Sequence, residues 1–198
     1  MKALLVKDSM MVQQQLKIHM LFPLLTIMFL LMMDTDHLMM LTIIIFSTGQ
    51  SLLPFLEEKQ AKWAQYLNTL PISKKEIIYS KYTVSSLLII CHNLIMLPIA
   101  SFMFSGNTFE SNHFLYTGSL LFTLACCALA FALPCYIYSQ HIAVAIAPLF
   151  FIIGVAKMIF TDIAQFTTAI LLIGPVVGLI LLWLSSFVSI ALYTKREF

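Results

Sequence analysis

Chemistry inside an apolar chain needs paired ionisable or nucleophilic side chains, and few positions in these 198 residues qualify. An intramembrane protease would want two aspartates within spans, or a serine with a histidine. Asp34, Asp36 and Asp162 instead stand at the ends of apolar runs. His92 and Asn93 are the notable polar pair deep inside such a run. A pair at that depth either marks a substrate path or ties two helices together. His19, His37, His113 and His141 fall at run ends and make a weak case for a metal. Cys91, Cys126, Cys127 and Cys135 lie inside apolar runs without C-x-x-C spacing, as small packing residues do. Nucleotide hydrolysis needs G-x-x-x-x-G-K-[ST]. None of Gly49, Gly106, Gly118, Gly154, Gly174 and Gly178 precedes a Lys-Ser or Lys-Thr pair. H-E-x-x-H and G-x-S-x-G are absent too, so no catalytic, cofactor or metal site is expected in this chain.

The distinctive local chemistry is structural and charged. The stretch "TLPISKKEIIYSKY", residues 69–82, carries Lys74, Lys75 and Lys81 between two apolar regions. Ser73 and Glu76 form the pattern [ST]-x-x-E before an apolar run. The serine hydroxyl can cap a helix while the glutamate reaches back to the serine amide. Upstream, "EEKQAKWAQYLNT" reads as a helix with Trp63, Tyr66, Leu67 and Leu70 on one side. Glu57 and Glu58 fall in its first turn, at the positive end of the helix dipole. Pro71 stops that helix at or before Leu70. The segment 57–80 is therefore expected to be helix, sharp proline turn and capped helix, a rigid elbow welded to the apolar segments on either side.

Those apolar segments set the fold class. The chain is 61% hydrophobic and 10% charged, against about 25% charged in soluble domains. A 30 Å hydrocarbon core needs about 20 apolar residues per helix. The expected fold is an all-α integral membrane protein, one domain over 1–198 with six transmembrane helices. The spans are placed at about 18–33, 38–56, 82–104, 114–138, 141–160 and 174–193. An amphipathic helix at about 1–17 precedes them, with Leu4, Leu5, Met11, Val12 and Leu16 on one side and Lys7, Asp8, Gln14 and Gln15 off it. It rests on the headgroups or extends the first span. Gly49, Gln50 and Ser51 suggest a helix-facing stretch. Around Gly174-Pro175 the expected arrangement is a short membrane-inserted or interfacial half-helix, then a turn, then the last span, with a single helix kinked at Pro175 as the rival.

Cytoplasmic loops are rich in Lys and Arg. With both termini cytoplasmic, ten of the eleven basic residues fall inside and only Lys157 does not. Tyr79, Tyr82, Tyr116 and Tyr193 are expected in interfacial belts. No basic face of a soluble module is present, which excludes nucleic acid as a partner.

The stretch from Glu57 to Tyr82 resembles the loop of ATP-binding-cassette permeases of the ABC-2 class. The resemblance extends to the short bacterial subfamily that includes permeases of phenol-soluble modulin exporters. The residues that carry it are Glu57, Glu58, Lys59, Trp63, Leu70, Pro71, Ser73, Lys74, Lys75, Glu76, Ile77, Ser80, Lys81 and Tyr82. The start "MKALLVKD" is similar to the family's N-terminal pattern. The chain is short even for this subfamily. The resemblance implies a multi-pass bacterial cell-membrane permease that forms homo- or heterodimers with a second permease subunit. It also implies a separate cytosolic ATPase that binds ATP and magnesium and docks on the loop, through Trp63, Tyr66, Leu67, Leu70, Pro71, Ile72, Ser73, Lys74, Lys75 and Glu76. The expected function is export of amphipathic peptides or lipid-like molecules, with His92 and Asn93 on a possible substrate path. The alternative is a non-transporting membrane protein, such as a bacteriocin immunity factor or accessory subunit.

Overall fold

Backbone that cannot bond to water must bond to itself, and a helix does so within one segment. The computed structural model describes residues 2–14, 16–32, 36–60, 69, 71–104, 111–139 and 168–195, and among these the regular elements are all α-helices. They are α1 (Lys2–Gln14), α2 (Leu16–Leu30), α3 (Asp36–Gln60), α4 (Lys74–Phe104), α5 (Ser111–Ser139) and α6 (Thr168–Thr194). Among the described residues, Lys74–Ile99, Gly118–Ser139 and Ile173–Thr194 are long and apolar enough to cross a membrane. Lys17–Leu30 and Leu41–Phe55 are shorter apolar stretches. The expected span at 141–160 lies outside the described residues.

Contacts set the directions. Phe55 meets Lys81, while Ser51 accepts a hydrogen bond from Ser85, so α3 and α4 are antiparallel. Tyr82 bonds to Ser185 and Ser189, and Lys74 reaches the Thr194 carbonyl, so α4 and α6 are antiparallel as well. A Cβ on Gly174 or Gly178 would meet Thr123 or Cys126, and Ser185 bonds to Ala130, so α5 and α6 run parallel. Ser139 and Thr168 therefore lie at opposite ends of the bundle. The start of α4 and the ends of α3, α5 and α6 share one end, and α1 packs there too, through Asp8 on Ser80.

Close approach between helices replaces the hydrophobic drive that lipid cannot supply. Gly174 and Gly178 stand four residues apart on α6, where a Cβ would come within 2.7 Å of the Thr123 hydroxyl and 3.0 Å of the Cys126 Cβ. The facing stretch of α5 is rich in small residues, and Ala125, Cys126, Ala128, Ala130 and Ala132 are buried. The core continues through Leu52 and Phe55 of α3, Ile77, Ile78 and Ile89 of α4, Leu129 and Leu133 of α5, and Leu182 of α6.

Four expectations change. Helix α6 runs unbroken through Gly174-Pro175, so the single-helix alternative holds over 168–194. Glu57 and Glu58 lie inside α3, which continues through Pro54 to Gln60, rather than in the first turn of a new helix. Tyr82 and Tyr193 are buried in the core, not held in an interfacial belt. Asp8 is only 5% exposed, because it shares the inward face of α1 with Leu4, four residues back.

Candidate coupling elbow and its anchors

Helix α4 starts where the serine–glutamate pattern places it. The Ser73 hydroxyl accepts the Glu76 N–H at 3.3 Å, and the Glu76 carboxylate accepts the Ser73 N–H at 3.4 Å. The serine O–H also donates to that carboxylate at 3.1 Å. Two amide donors at the helix start are thus satisfied reciprocally. The first intrahelical bond runs from Ile77 N–H to Ser73 C=O. Pro71, Ser73 and Lys75 are exposed, while Lys74 and Glu76 are half-buried. Ile72, expected among the partner contacts, is half-buried and packs against the core. It anchors the elbow from within. Trp63, Tyr66, Leu67 and Leu70 lie outside the described residues.

Three attachments tie this start to the rest of the bundle. Asp8 of α1 accepts the Ser80 hydroxyl at 2.5 Å and pairs with Lys7 at 2.7 Å. Lys81 lies within electrostatic reach of both and holds its ammonium 4.8 Å from the Phe55 ring centroid, over α3. A buried carboxylate beside two lysines is a paired charge, the condition under which burial is tolerated. Lys74 donates to the Thr194 carbonyl at 3.5 Å, where a cation faces the negative end of the α6 dipole.

A turn deeper, Tyr82 joins α4 to α6 in a directed chain. The Ala130 carbonyl can only accept, so Ser185 spends its proton there at 2.5 Å. Tyr82 must then donate to Ser185 at 2.8 Å and accept from Ser189 at 2.6 Å. The Ala130 carbonyl is free because residue 134, which would normally donate to it, is a proline. The same logic operates on α2. Pro23 frees the His19 carbonyl, and Gln50 of α3 donates to it at 3.2 Å. Gln50 then offers its own carbonyl oxygen to His92 Nδ1 at 2.7 Å, which makes Nδ1 the protonated nitrogen.

His92 and Asn93 are thus buried inside the bundle, and Asn93 donates to the Ile89 carbonyl of its own helix. An open groove between α4 and α6, of about 360 Å³, does not include them. Sequence reasoning singled out Ser80, Lys81, Tyr82 and the N-terminal Lys7-Asp8 without pairing them. It also missed the proline-freed carbonyls, which the rule that residue i donates to residue i−4 makes visible. Their donors, Gln50 and Ser185, had no local signal.

Comparison with known proteins gives one assignment. A family model described as ABC-2 family transporter protein matches residues 3–194. No curated protein and no solved structure matches the chain.

Proposed function

Since the chain belongs to the ABC-2 family of transporter proteins, and is by that membership a membrane subunit of a transporter that pairs with an ATP-binding-cassette ATPase, we propose that the elbow around Pro71–Glu76 is where that ATPase docks. The supporting observation is how this point is capped and attached. The capping box fixes its geometry, and Asp8, Lys81 and Lys74 link it to α1, α3 and α6. A push on an element so attached is carried into several helices at once instead of being absorbed by a loop.

The elbow end faces the cytoplasm in this proposal. Lys7, Lys17, Lys74, Lys75, Lys81 and Lys195, the lysines whose side chains the structure describes, all lie at that end of the bundle, and cytoplasmic flanks are the basic ones. ATP and magnesium are bound by the partner, and this chain contributes no hydrolytic chemistry. Two copies, or one copy and a related permease, form the conduit in a bacterial cell membrane. The resemblance of the 57–82 segment to phenol-soluble modulin exporter permeases supports export of an amphipathic peptide or lipid-like molecule. A path past His92 and Asn93 requires α3 and α4 to part, because Gln50 closes the gap between them.

The test is the double variant Pro71→Ala, Glu76→Ala in a complex reconstituted with the ATPase that co-purifies from the native host. Substrate-stimulated ATPase activity is expected to fall. Unchanged stimulation together with unchanged capture of the ATPase would remove the docking role from this elbow.

A further inference from the structure

The groove between α4 and α6 opens sideways, away from the buried polar pairs. Its floor is Tyr82, Leu182 and Ser186. Its walls include Tyr79, Leu87 and Ile90 of α4 and Leu179 and Trp183 of α6, and Trp183 is 59% exposed. Its serine and threonine hydroxyls, and that of Tyr82, are internally engaged. Thr83 and Ser86 donate to the Tyr79 and Tyr82 carbonyls, and Ser186 donates to the Trp183 carbonyl. The groove therefore offers an occupant mainly apolar contact.

Its mouth is different. Lys75 lies four residues before Tyr79, on the same stripe of α4, one turn nearer the elbow, and is exposed. Lys74 and Lys195 flank it, and among the described residues the carboxylate nearest Lys75 in sequence, Glu76, is engaged with Ser73. The start of α4 adds the positive end of a helix dipole. The dimension fits as well. From Tyr79 to Ile90 a helix rises about 16 Å, close to the depth of one leaflet of a hydrocarbon core about 30 Å thick.

We propose that this groove holds one acyl chain of an anionic phospholipid, with the phosphate at Lys75. A second copy of the chain is a poorer occupant. Seated in this groove in the same orientation, it would set its own lysine-rich end directly against Lys75, which a conduit built on another face of the bundle need not do. The proposal rests on the chain being embedded in a bilayer; because Lys75 also belongs to the proposed docking elbow, the test is made on the chain without the ATPase, so that its outcome does not turn on the docking reading.

The test uses Trp183 as reporter, in the full chain carrying Trp63→Phe so that one tryptophan remains. The protein is placed in vesicles containing equal mole fractions of either brominated-chain phosphatidylglycerol or brominated-chain phosphatidylcholine. Stronger quenching by the glycerol lipid is expected, with a relative affinity of about fivefold, the effect of one lysine near a charged headgroup. Lys75→Gln, with helicity checked by circular dichroism, is expected to bring the two lipids to near equality. Equal quenching of the parent protein by both lipids would mean unselective boundary lipid and overturn the proposal. No quenching by either would mean that protein covers the groove, with the same consequence. A preference that survives Lys75→Gln would also refute it, because the headgroup would then be held elsewhere.

Discussion

At the scale of single residues, the structure is organised by carbonyls that proline leaves without a donor. Each helix from α2 to α6 carries an internal proline: Pro23, Pro54, Pro98, Pro134 and Pro175. In water such a carbonyl would find solvent, but in a bilayer it needs a neighbouring helix. Gln50 and Ser185 meet that need for His19 and Ala130. Interhelical hydrogen bonds in membrane proteins average only about 0.6 kcal/mol, because the unfolded reference state in the membrane finds partners too. Gln50 is expected to exceed that average, since its removal strands both a carbonyl and the His92 N–H. Gln50→Leu should cost about 1–3 kcal/mol, read as a lower midpoint in denaturant unfolding of the purified chain in micelles. A variant as stable as the parent would show that these groups find other partners.

At the scale of elements, the α5–α6 seam and the α4–α5 contact answer differently to the same substitution. On α6, an added methyl at Gly178 meets the Cys126 Cβ at 3.0 Å and the Thr123 backbone at 3.4 Å, neither of which can swing aside. On α5, an added methyl at Gly118 meets the tip of the Leu97 side chain, which has other rotamers. Gly178→Ala should therefore destabilise by about 1–3 kcal/mol, as overpacking does, and Gly118→Ala by less than about 1 kcal/mol. Thermal unfolding of the two variants in the same detergent measures the difference. Equal losses would mean that the seam can open without cost. The elbow is also an element-scale feature: a proline, a cap and a helix start within six residues, Pro71 to Glu76.

For the whole molecule, the question is what a push at the elbow moves. Helix α1 is bound to α4 through the Asp8–Ser80 bond, across 72 residues of sequence. Asp8→Asn keeps an acceptor for Ser80 but removes the charge that offsets Lys7 and Lys81. Coupling is expected to weaken by about 0.5–2 kcal/mol, or between about two- and thirtyfold. The measurement is substrate-stimulated over basal ATPase activity in the reconstituted complex, with capture of the ATPase unchanged. If capture is lost in parallel with stimulation, α1 belongs to the docking surface and is not a brace behind it.

Much of this protein is local and therefore readable in one dimension. Apolar run lengths announced helices of membrane length, and the serine and glutamate three residues apart announced the start of α4. Proline positions name the carbonyls they orphan. The run-length rule reads about 20 consecutive residues, and the cap and proline rules act over four residues or fewer, the reach of a helical hydrogen bond. The ties that turn separate helices into one body join residues far apart: Asp8 to Ser80, Gln50 to His19 and His92, Lys74 to Thr194. No spacing rule connects them, because which faces meet is decided by how glycines and alanines let helices approach. That is why Tyr82 reads in sequence as a residue of the membrane surface. In the folded chain it is a buried link between α4 and α6, since only packing supplies the serines that satisfy its hydroxyl.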